Sequence, residues 1–457
     1  MQNSKVTPKV AFVGFGEVNT PPEFIAPRCK VAAVELAKRG ITVMQAPIVN
    51  DDPAGNLAAA ATAALSKMDF DVLVLCVAGW IPTWAVIRTI EPFKHKPMLL
   101  WGLSGWYENG HFVTTADQAG TTALRLPLQQ MGYNFKYLVN KKGSEPLYDE
   151  AADYIFAAAA SSKLQNAVAG MCGYRDMRLY GTLYEGTSLK AIIGPEIEHF
   201  DLYELQELSD ALSVDEVEEK CDFIKANWEF TRQPQPGTVE ASVRLALAMR
   251  DKINDRKYQA FSFCDVDGVK KLLKFAPAGA LTLLHQLVDI PTVPENDAHG
   301  AITQMIMHSL TGQVPAYMEF YEFTKDSAVM GVPDYVPPCV VDGKVTVMPN
   351  AFGSFGEGLL NVSKVRTGKV TLSRLALVDG EYVMHATLAD AVTPEKWEEA
   401  GWAPPAPQLP SLEMKFQYDA DDFIQDVMGQ HYIVSYGNWL QRLENFCNMK
   451  GIDLILA

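Results

Sequence analysis

Two glutamates are candidates for acid–base chemistry because each lies beside a predicted regular element. Glu295 follows the apolar run 287–290 and stands just before a segment with helical spacing of apolar residues, which Gly312 ends. Glu319 lies 24 positions later (319 minus 295) in a strand-like alternation of side chains. A strand–loop–helix–strand unit can bring two such carboxylates together near strand ends, where α/β proteins place their chemistry.

Two neighbouring carboxylates repel each other unless a proton or a cation lies between them. A divalent metal ion is the natural cation, and His431, at the start of an apolar strand, could complete its ligands. Two carboxylates and an imidazole suit Mn²⁺ or Mg²⁺. From the residues alone, Glu295 could equally be an acidic residue favoured at a helix start, and Glu319 a solvent-facing strand residue.

Three segments that include these residues resemble the L-fucose isomerase / L-arabinose isomerase family: PENDAHGAITQMIMHSLTG, PAYMEF and GQHYIVSYGNWLQRLENFCNMKGI. The likeness extends over essentially the whole chain and is best from about position 258 onward. In the fucose isomerase branch, a Glu at such a helix start, an acidic residue about two dozen positions later and a late His hold one Mn²⁺. The resemblance implies that Glu295 and Glu319 are metal ligands and the catalytic acid/base pair, with His431 as third ligand. The cofactor would be Mn²⁺ or another divalent cation such as Mg²⁺ or Co²⁺.

The resemblance implies a metal-dependent aldose–ketose isomerase that works through a cis-enediol. A metal ion polarises the sugar carbonyl and stabilises the enediolate charge, while one carboxylate moves the proton between carbons. The substrate would be a hexose or deoxy-hexose, either L-fucose-like or a 6-deoxy-6-sulfo sugar such as sulfoquinovose. Much of the family has a Gly-His-Cys-Gly-like stretch where this chain has Gly331-Val332-Pro333-Asp334, and this departure leaves the substrate open.

Several further residues are expected to contact the sugar, because they match the family, follow predicted strands or flank the ligands. These residues are Arg28, Trp80, Trp106, Ser262, His299 and Asn438. In the family, an Arg and a Trp from a neighbouring subunit touch the sugar, and Arg28 with Trp80 or Trp84 are the possible counterparts. Arg28 could instead be a solvated helix-start residue, Trp80 a core residue and His299 a helix-start histidine.

The predicted fold is α/β, with two doubly wound parallel-sheet domains followed by a smaller antiparallel β domain. Buried runs of branched residues alternate with helical segments in the first two domains, which is typical of parallel sheets covered on both faces. Near the end, Asp342-Gly343 and Asp379-Gly380 each stand between alternating strands and predict hairpins. The proline-rich stretch 404–410 predicts a surface excursion. The predicted domains are residues 1–142, 143–325 and 326–457, the last with His431 and a closing helix.

Composition restricts the classes of partner and compartment. The net charge of −16 and the pI of about 5.0 argue against nucleic acid or an anionic membrane as partner. The seven cysteines are scattered without a CxxC pair, as in a reduced cytoplasmic protein. The N-terminus lacks the pattern of a signal peptide, and no apolar run approaches the roughly 18–20 residues of a transmembrane helix. We therefore expect a cytoplasmic protein with a small-molecule sugar as partner. The resemblance further implies that the protein forms a homo-oligomer, a trimer or hexamer with shared active sites.

Two other classes of protein fit parts of the sequence. A periplasmic-type sugar-binding protein without catalysis also has two doubly wound domains, but the missing signal peptide pattern and the third β domain count against it. A dinucleotide-binding enzyme is suggested by Gly14-Phe15-Gly16 after a strand. Two features count against it. Asn19 stands where that motif has its third Gly, and Thr20-Pro21-Pro22 is expected to prevent a helix from starting directly after the loop.

Overall fold

The chain forms two compact units. The computed structural model describes residues 7–332, 335–351, 356–395 and 411–457. Within these ranges, the first unit contains residues 7–162 and 441–449, and the second contains 163–440 and 450–457. The predicted excursion at 404–410 lies outside the described residues, and the predicted three-domain boundaries stay a prediction.

The first unit is built on a five-stranded parallel sheet in the order β2-β1-β3-β4-β7, with a separate β5-β6 hairpin. Strand β3 is buried along its whole length, as its continuous run of branched residues predicts. The strands are β1 (Lys9–Phe15), β2 (Thr42–Gln45), β3 (Val72–Val77), β4 (Met98–Gly102), β5 (Trp106–Glu108), β6 (His111–Val113) and β7 (Phe135–Val139). The helices are α1 (Pro22–Lys38), α2 (Asn56–Leu65), α3 (Thr83–Ile90), α4 (Asp117–Gln130) and α5 (Tyr148–Leu164).

Helix α1 begins earlier than its sequence pattern indicates. The pattern predicts a helix over 29–40, whereas the structure has one over Pro22–Lys38. Pro22 occupies the first helical turn, where a missing backbone N–H leaves no hydrogen bond unmade. The adjacent prolines therefore start this helix instead of delaying it.

The second unit contains the remaining strands and most of the remaining helices. The strands are β8 (Val168–Cys172), β9 (Glu196–Phe200), β10 (Glu229–Phe230), β11 (Ala260–Phe263), β12 (Thr292–Val293), β13 (Ala316–Phe323), β14 (Ser327–Gly331), β15 (Thr346–Ala351), β16 (Glu357–Asn361), β17 (Gly368–Val378), β18 (Glu381–Val392), β19 (Ser411–Phe416), β20 (His431–Tyr436) and β21 (Asp453–Leu456). The helices are α6 (Gly186–Ser188), α7 (Leu202–Asp210), α8 (Val214–Asn227), α9 (Thr238–Arg256), α10 (Ala278–Leu287), α11 (Ala298–Thr311), α12 (Ala420–Gln425) and α13 (Leu440–Lys450), and α13 contributes 441–449 to the first unit.

Two sheets of the second unit carry the candidate residues. A parallel sheet has the order β12-β11-β8-β9, and β10-β15-β16 form a small separate sheet. Six antiparallel strands in the order β17-β20-β13-β14-β19-β18 close into a barrel through the β17–β18 pairing, and β21 adds to β18 in parallel. The predicted α/β fold with parallel sheets and an antiparallel β part is confirmed. Strand β13, which carries Glu319, belongs to the barrel although it precedes position 326.

One of the two Asp-Gly hairpin predictions is confirmed and the other is wrong. Val378 pairs with Glu381 across Asp379-Gly380, where both turn residues have positive φ, as a tight hairpin requires. Asp342-Gly343 joins no hairpin, because Val341 bridges to Val365 and β15 pairs with β16. The residues before this turn form the 3₁₀ turn Pro338–Val340, since proline has no N–H to donate to a strand ladder.

No helix in the described part of the chain is both long enough and apolar enough to cross a membrane.

Strand β16 packs so closely on the backbone near α10 that it requires glycine. A Cβ at Gly358 would lie 2.0 Å from the carbonyl oxygen of Ala276. We expect Gly358→Ala to lower the free energy of unfolding by about 1–3 kcal/mol, measured by urea denaturation, because the backbone must shift. Gly181→Ala is the control, since its Cβ would meet no atom within 4 Å. Equal stability of the two variants would contradict this packing.

Candidate functional site

The site begins where β12 ends, at two residues with left-handed backbone conformations. Glu295 has φ 65° and Asn296 has φ 49°, which is uncommon for non-glycine residues. The Glu295 N–H donates to a carboxylate oxygen of Asp265 over 2.9 Å. The Asn296 side-chain amide donates to the carbonyls of Cys172 (2.7 Å) and Tyr174 (2.6 Å). These bonds hold the strained turn that aims the Glu295 side chain.

Asp265 is itself fixed by a buried ion pair. It opens the π-helical segment Asp265–Leu273, and its carboxylate lies 3.0 Å from the Lys270 ammonium, with both side chains buried. A buried carboxylate needs such a cation to offset its lost hydration. The acceptor for the Glu295 N–H is therefore held in place.

Glu319 and His431 face each other across two neighbouring barrel strands. They are directly opposite in the antiparallel β13–β20 pairing, which places both side chains on one face. His431 Nε2 lies 3.6 Å from Glu319 Oε2, and His431 Nδ1 lies 3.7 Å from Glu295 Oε2. The structure thus brings all three predicted ligands together, with the imidazole between the two carboxylates.

The imidazole is buried and neutral. Burial lowers the pKa of His431 to about 3, because the charged ring would lose its hydration. The ring stacks on Tyr317, with centroids 4.3 Å apart. Tyr317 therefore restricts the orientation of the imidazole that faces the carboxylates.

A buried ion pair lies behind this stack. Tyr317 donates its hydroxyl to Asp297 over 2.8 Å, and Arg374 donates to both oxygens of Asp297 over 2.5 and 2.9 Å. Burial acts to raise the pKa of Asp297, but the Arg374 guanidinium outweighs it and lowers that pKa to about 2. Asp297 also caps α11 by accepting the Gly300 N–H over 3.0 Å.

The donor set fits a hard divalent cation. Two ligands at about 2.1 Å from one ion lie no more than ~4.2 Å apart, and the two Glu–His separations, 3.7 and 3.6 Å, are below that. The two carboxylates face different nitrogens of His431, so sharing one ion requires a glutamate side chain to turn. As the side chains stand, no group of three His, Cys, Asp or Glu residues within the described ranges is arranged as a metal site.

Two buried polar atoms, one and four positions after Glu295 in the chain, lack hydrogen-bond partners among the described residues. Asn296 Oδ1 and His299 Nε2 have none in the part of the chain that the structure describes. Burial lowers the pKa of His299 to about 4, and the nearby charge of Arg374 adds to this effect. Because buried polar groups are usually satisfied, these atoms are suited to hydrogen bonds with a bound ligand.

The other predicted contacts in the second unit serve local structure. The Ser262 hydroxyl is buried and donates to the carbonyl of Val293 over 2.9 Å. Asn438 accepts the Leu440 N–H over 3.2 Å at the start of α13. Neither contact is with the three candidate ligands.

Arg28, Trp80 and Trp106 belong to the first unit. The Arg28 guanidinium donates to the carbonyl of Ala78 over 2.5 Å, pairs with Asp117 at 3.1 Å and lies 5.2 Å from the Trp106 ring centroid. Arg28 is therefore held by its own unit rather than solvated. Trp80 is 37% exposed, which is more than a core residue shows.

Sequence reasoning missed Asp297, Tyr317 and Arg374, although two signals were present. An Asp directly before an apolar helical run is typical of an N-cap. An arginine within the apolar strand LSRLALV is expected to be buried, and a buried charge needs a partner. Nothing in the sequence pattern indicated that Asp297 and Arg374 form an ion pair.

No known protein-family model matches this chain, and no curated protein sequence matches it. The resemblance to the L-fucose isomerase / L-arabinose isomerase family therefore rests on the segments quoted above. In the divergent stretch at 331–334, Pro333 and Asp334 lie outside the described residues.

The Asp297–Arg374 pair should be strongly coupled. Arg374→Met leaves a buried carboxylate without its cation, so we expect a loss of about 3–5 kcal/mol in the free energy of unfolding, measured with urea. Asp297→Asn in the same chain should recover part of that loss. Additive effects of the two substitutions would contradict the coupling. Arg244→Met is the control, because its pair with Glu240 is more exposed and should contribute less than ~1 kcal/mol.

Proposed function

We propose that this protein is a metal-dependent aldose–ketose isomerase. The observation that carries the proposal is the placement of the neutral His431 imidazole between the Glu295 and Glu319 carboxylates, 3.7 and 3.6 Å away. The strained backbone at Glu295 supports it, since such strain concentrates at functional sites. The unsatisfied atoms of Asn296 and His299 add groups that suit sugar hydroxyls.

Glu295, Glu319 and His431 would hold Mn²⁺ or another divalent cation such as Mg²⁺ or Co²⁺. When bound, such a cation polarises a carbonyl and stabilises negative charge on neighbouring oxygens. Burial keeps the imidazole neutral, with its nitrogen lone pair available. Asp297, through Tyr317, keeps the ring facing the carboxylates.

The reaction needs one carboxylate that takes a proton from a sugar carbon and returns it to the next. Either glutamate carboxylate could act as this base. Their side chains differ in exposed fraction, which is 14% for Glu295 and 32% for Glu319. His299 Nε2 and Asn296 Oδ1 would orient the hydroxyls of the sugar chain.

The proposed substrate is a hexose or deoxy-hexose, L-fucose-like or a 6-deoxy-6-sulfo sugar such as sulfoquinovose. This choice rests on the resemblance and on the departure at 331–334. The expected homo-oligomer, a trimer or hexamer with shared active sites, also rests on the resemblance and stays a prediction. A ketose-forming assay over neutral and sulfonated aldoses would narrow the substrate.

Removing either carboxylate charge should abolish isomerisation without unfolding the protein. We expect Glu295→Gln and Glu319→Gln each to lower turnover by at least ~100-fold, because each removes a possible base and a metal-binding charge. The measurement is ketose formation, with circular dichroism to check the fold. Glu322→Gln is the matched control, as Glu322 is exposed and follows a β-bulge in the same strand. Turnover within tenfold of wild type for either site variant would contradict the proposal.

Removing the imidazole should act first on metal binding. We expect His431→Ala to weaken Mn²⁺ binding by at least ~100-fold, measured by calorimetry, because losing even a residue that only supports a ligand costs roughly 10–100-fold. Excess Mn²⁺ should restore part of the activity. The control is Asn438→Ala, which is close to His431 in sequence but is not one of the three proposed ligands. This variant should bind Mn²⁺ with wild-type affinity. If His431→Ala binds Mn²⁺ with unchanged affinity, His431 is not a ligand. Tight Mn²⁺ and sugar binding without turnover by the wild type would instead indicate a sugar-binding protein.

A further inference from the structure

A cavity of about 800 Å³ lies at the opposite end of helix α11 from Glu295. Its lining includes Gln313 and Val314, which follow the end of that helix, and His285 and Leu287 at the end of α10. None of its lining residues belongs to the candidate active site. A volume of this size accommodates a small organic molecule.

The cavity has a mostly apolar wall and one unsatisfied polar group. The apolar lining residues are Phe223, Leu283, Leu287, Val314, Pro338 and Val340. Gln286 also lines the cavity, and its side-chain oxygen is buried without a hydrogen-bond partner in the described ranges. His285 is already engaged, because its Nε2 lies 3.1 Å from the Thr292 hydroxyl. This oxygen has less than 1 Å² of exposed surface, so the Gln286 side chain must turn before it can accept from a donor on a ligand.

Arg366 supplies positive charge to this cavity. Its guanidinium lies 4.2 Å from the ring centroid of Tyr436, and among the described residues it forms no ion pair. Lys220, the other cation of the lining, pairs with Glu219 at 2.8 Å. Asp289 contributes one carboxylate to the same lining, so the lining carries two cations and one anion. A guanidinium that has no carboxylate partner within the described ranges and lies beside an apolar wall favours an anionic ligand group, which it can bind with two parallel hydrogen bonds.

A cavity elsewhere in the same unit shows a different charge arrangement. It has a volume of about 540 Å³ and is also lined by cations, Lys225 and Arg244. Both are paired within the protein, Lys225 with Asp222 at 3.3 Å and Arg244 with Glu240 at 2.8 Å. Cations that are already paired with carboxylates attract an additional anion less strongly. This cavity is therefore a control for anion binding in the 800 Å³ cavity.

We propose that the 800 Å³ cavity is a binding site for a small amphipathic anion. The apolar body of the ligand packs on the wall around Leu287 and Val314, and its carboxylate, phosphate or sulfonate group binds Arg366. This inference is independent of the proposed isomerase activity, because the site shares no residue with Glu295, Glu319 or His431.

Two fluorescent probes that differ by a single sulfonate test this proposal. The anion is 8-anilinonaphthalene-1-sulfonate, and the neutral match is N-phenyl-1-naphthylamine; both carry the same aromatic body and N–H. We expect Arg366→Gln to weaken the sulfonate probe about tenfold or more and to leave the neutral probe unchanged. Arg366→Lys should restore part of the affinity. Arg366→Gln also removes the contact of the guanidinium with the Tyr436 ring, whereas the backbone bonds of residue 366 to Val340 and Tyr436 stay in place.

Cys339 provides a second readout inside the same cavity. It lines the cavity and is exposed, whereas the other six cysteines are buried or partly buried. We expect the sulfonate probe to slow iodoacetamide alkylation of Cys339, followed by mass spectrometry, in wild type but far less in Arg366→Gln. Lys225→Gln, in the 540 Å³ cavity, should change neither binding nor protection.

The proposal is overturned if Arg366→Gln and wild type bind the sulfonate probe equally, or if the bound probe leaves Cys339 alkylation unchanged. Loss of sulfonate binding in Lys225→Gln would also overturn it, by moving the anion to the other cavity. Equal weakening of both probes in Arg366→Gln would also overturn it, because the loss would then come from cavity shape and not from charge. The expected result, loss of the sulfonate probe with the neutral probe still bound, excludes misfolding of the variant.

Discussion

The buried ion pair between Asp297 and Arg374 is the interaction on which the site depends. Asp297 closes the first turn of α11, and Arg374 comes from barrel strand β17, so the pair joins a helix to a barrel. The same carboxylate accepts the hydroxyl of Tyr317, whose ring stacks on His431. Burial of both charges has a large hydration cost, which the two parallel hydrogen bonds and the cap offset. The orientation of His431 therefore follows from an interaction that it does not itself make.

The backbone at Glu295 and Asn296 is the second constraint. Two successive left-handed non-glycine residues cost of order 1 kcal/mol or more each, and the surrounding bonds maintain them. The Asp265 carboxylate, paired with Lys270, accepts the Glu295 N–H, and the carbonyl of Cys172 accepts from Asn296. The parallel sheet thus directs one glutamate toward the barrel, while the barrel itself supplies the other glutamate and the histidine.

Local sequence patterns were sufficient for much of the architecture. The buried runs that form the parallel sheets, the hairpin at Asp379-Gly380 and the helix after Glu295 all arise from periodicity and turn chemistry, which act within a few residues. The alternation around Glu319 also holds, since Met318 packs in the barrel core while Glu319 faces His431. These features depend on neighbouring residues, and so a single sequence contains them.

Only the tertiary structure decided which distant residues meet. The sequence by itself determined that Glu295, Glu319 and His431 stand at the ends of regular elements, but their convergence depends on the pairing of β13 with β20. The partnership of Asp297 with Arg374 spans 77 positions, and no local pattern encodes it. The failed hairpin at Asp342-Gly343 has the same origin, because strand pairing there goes to Val365 and β16. Strand register and charge pairing are settled by burial over the whole unit, since they depend on which surfaces lose water together.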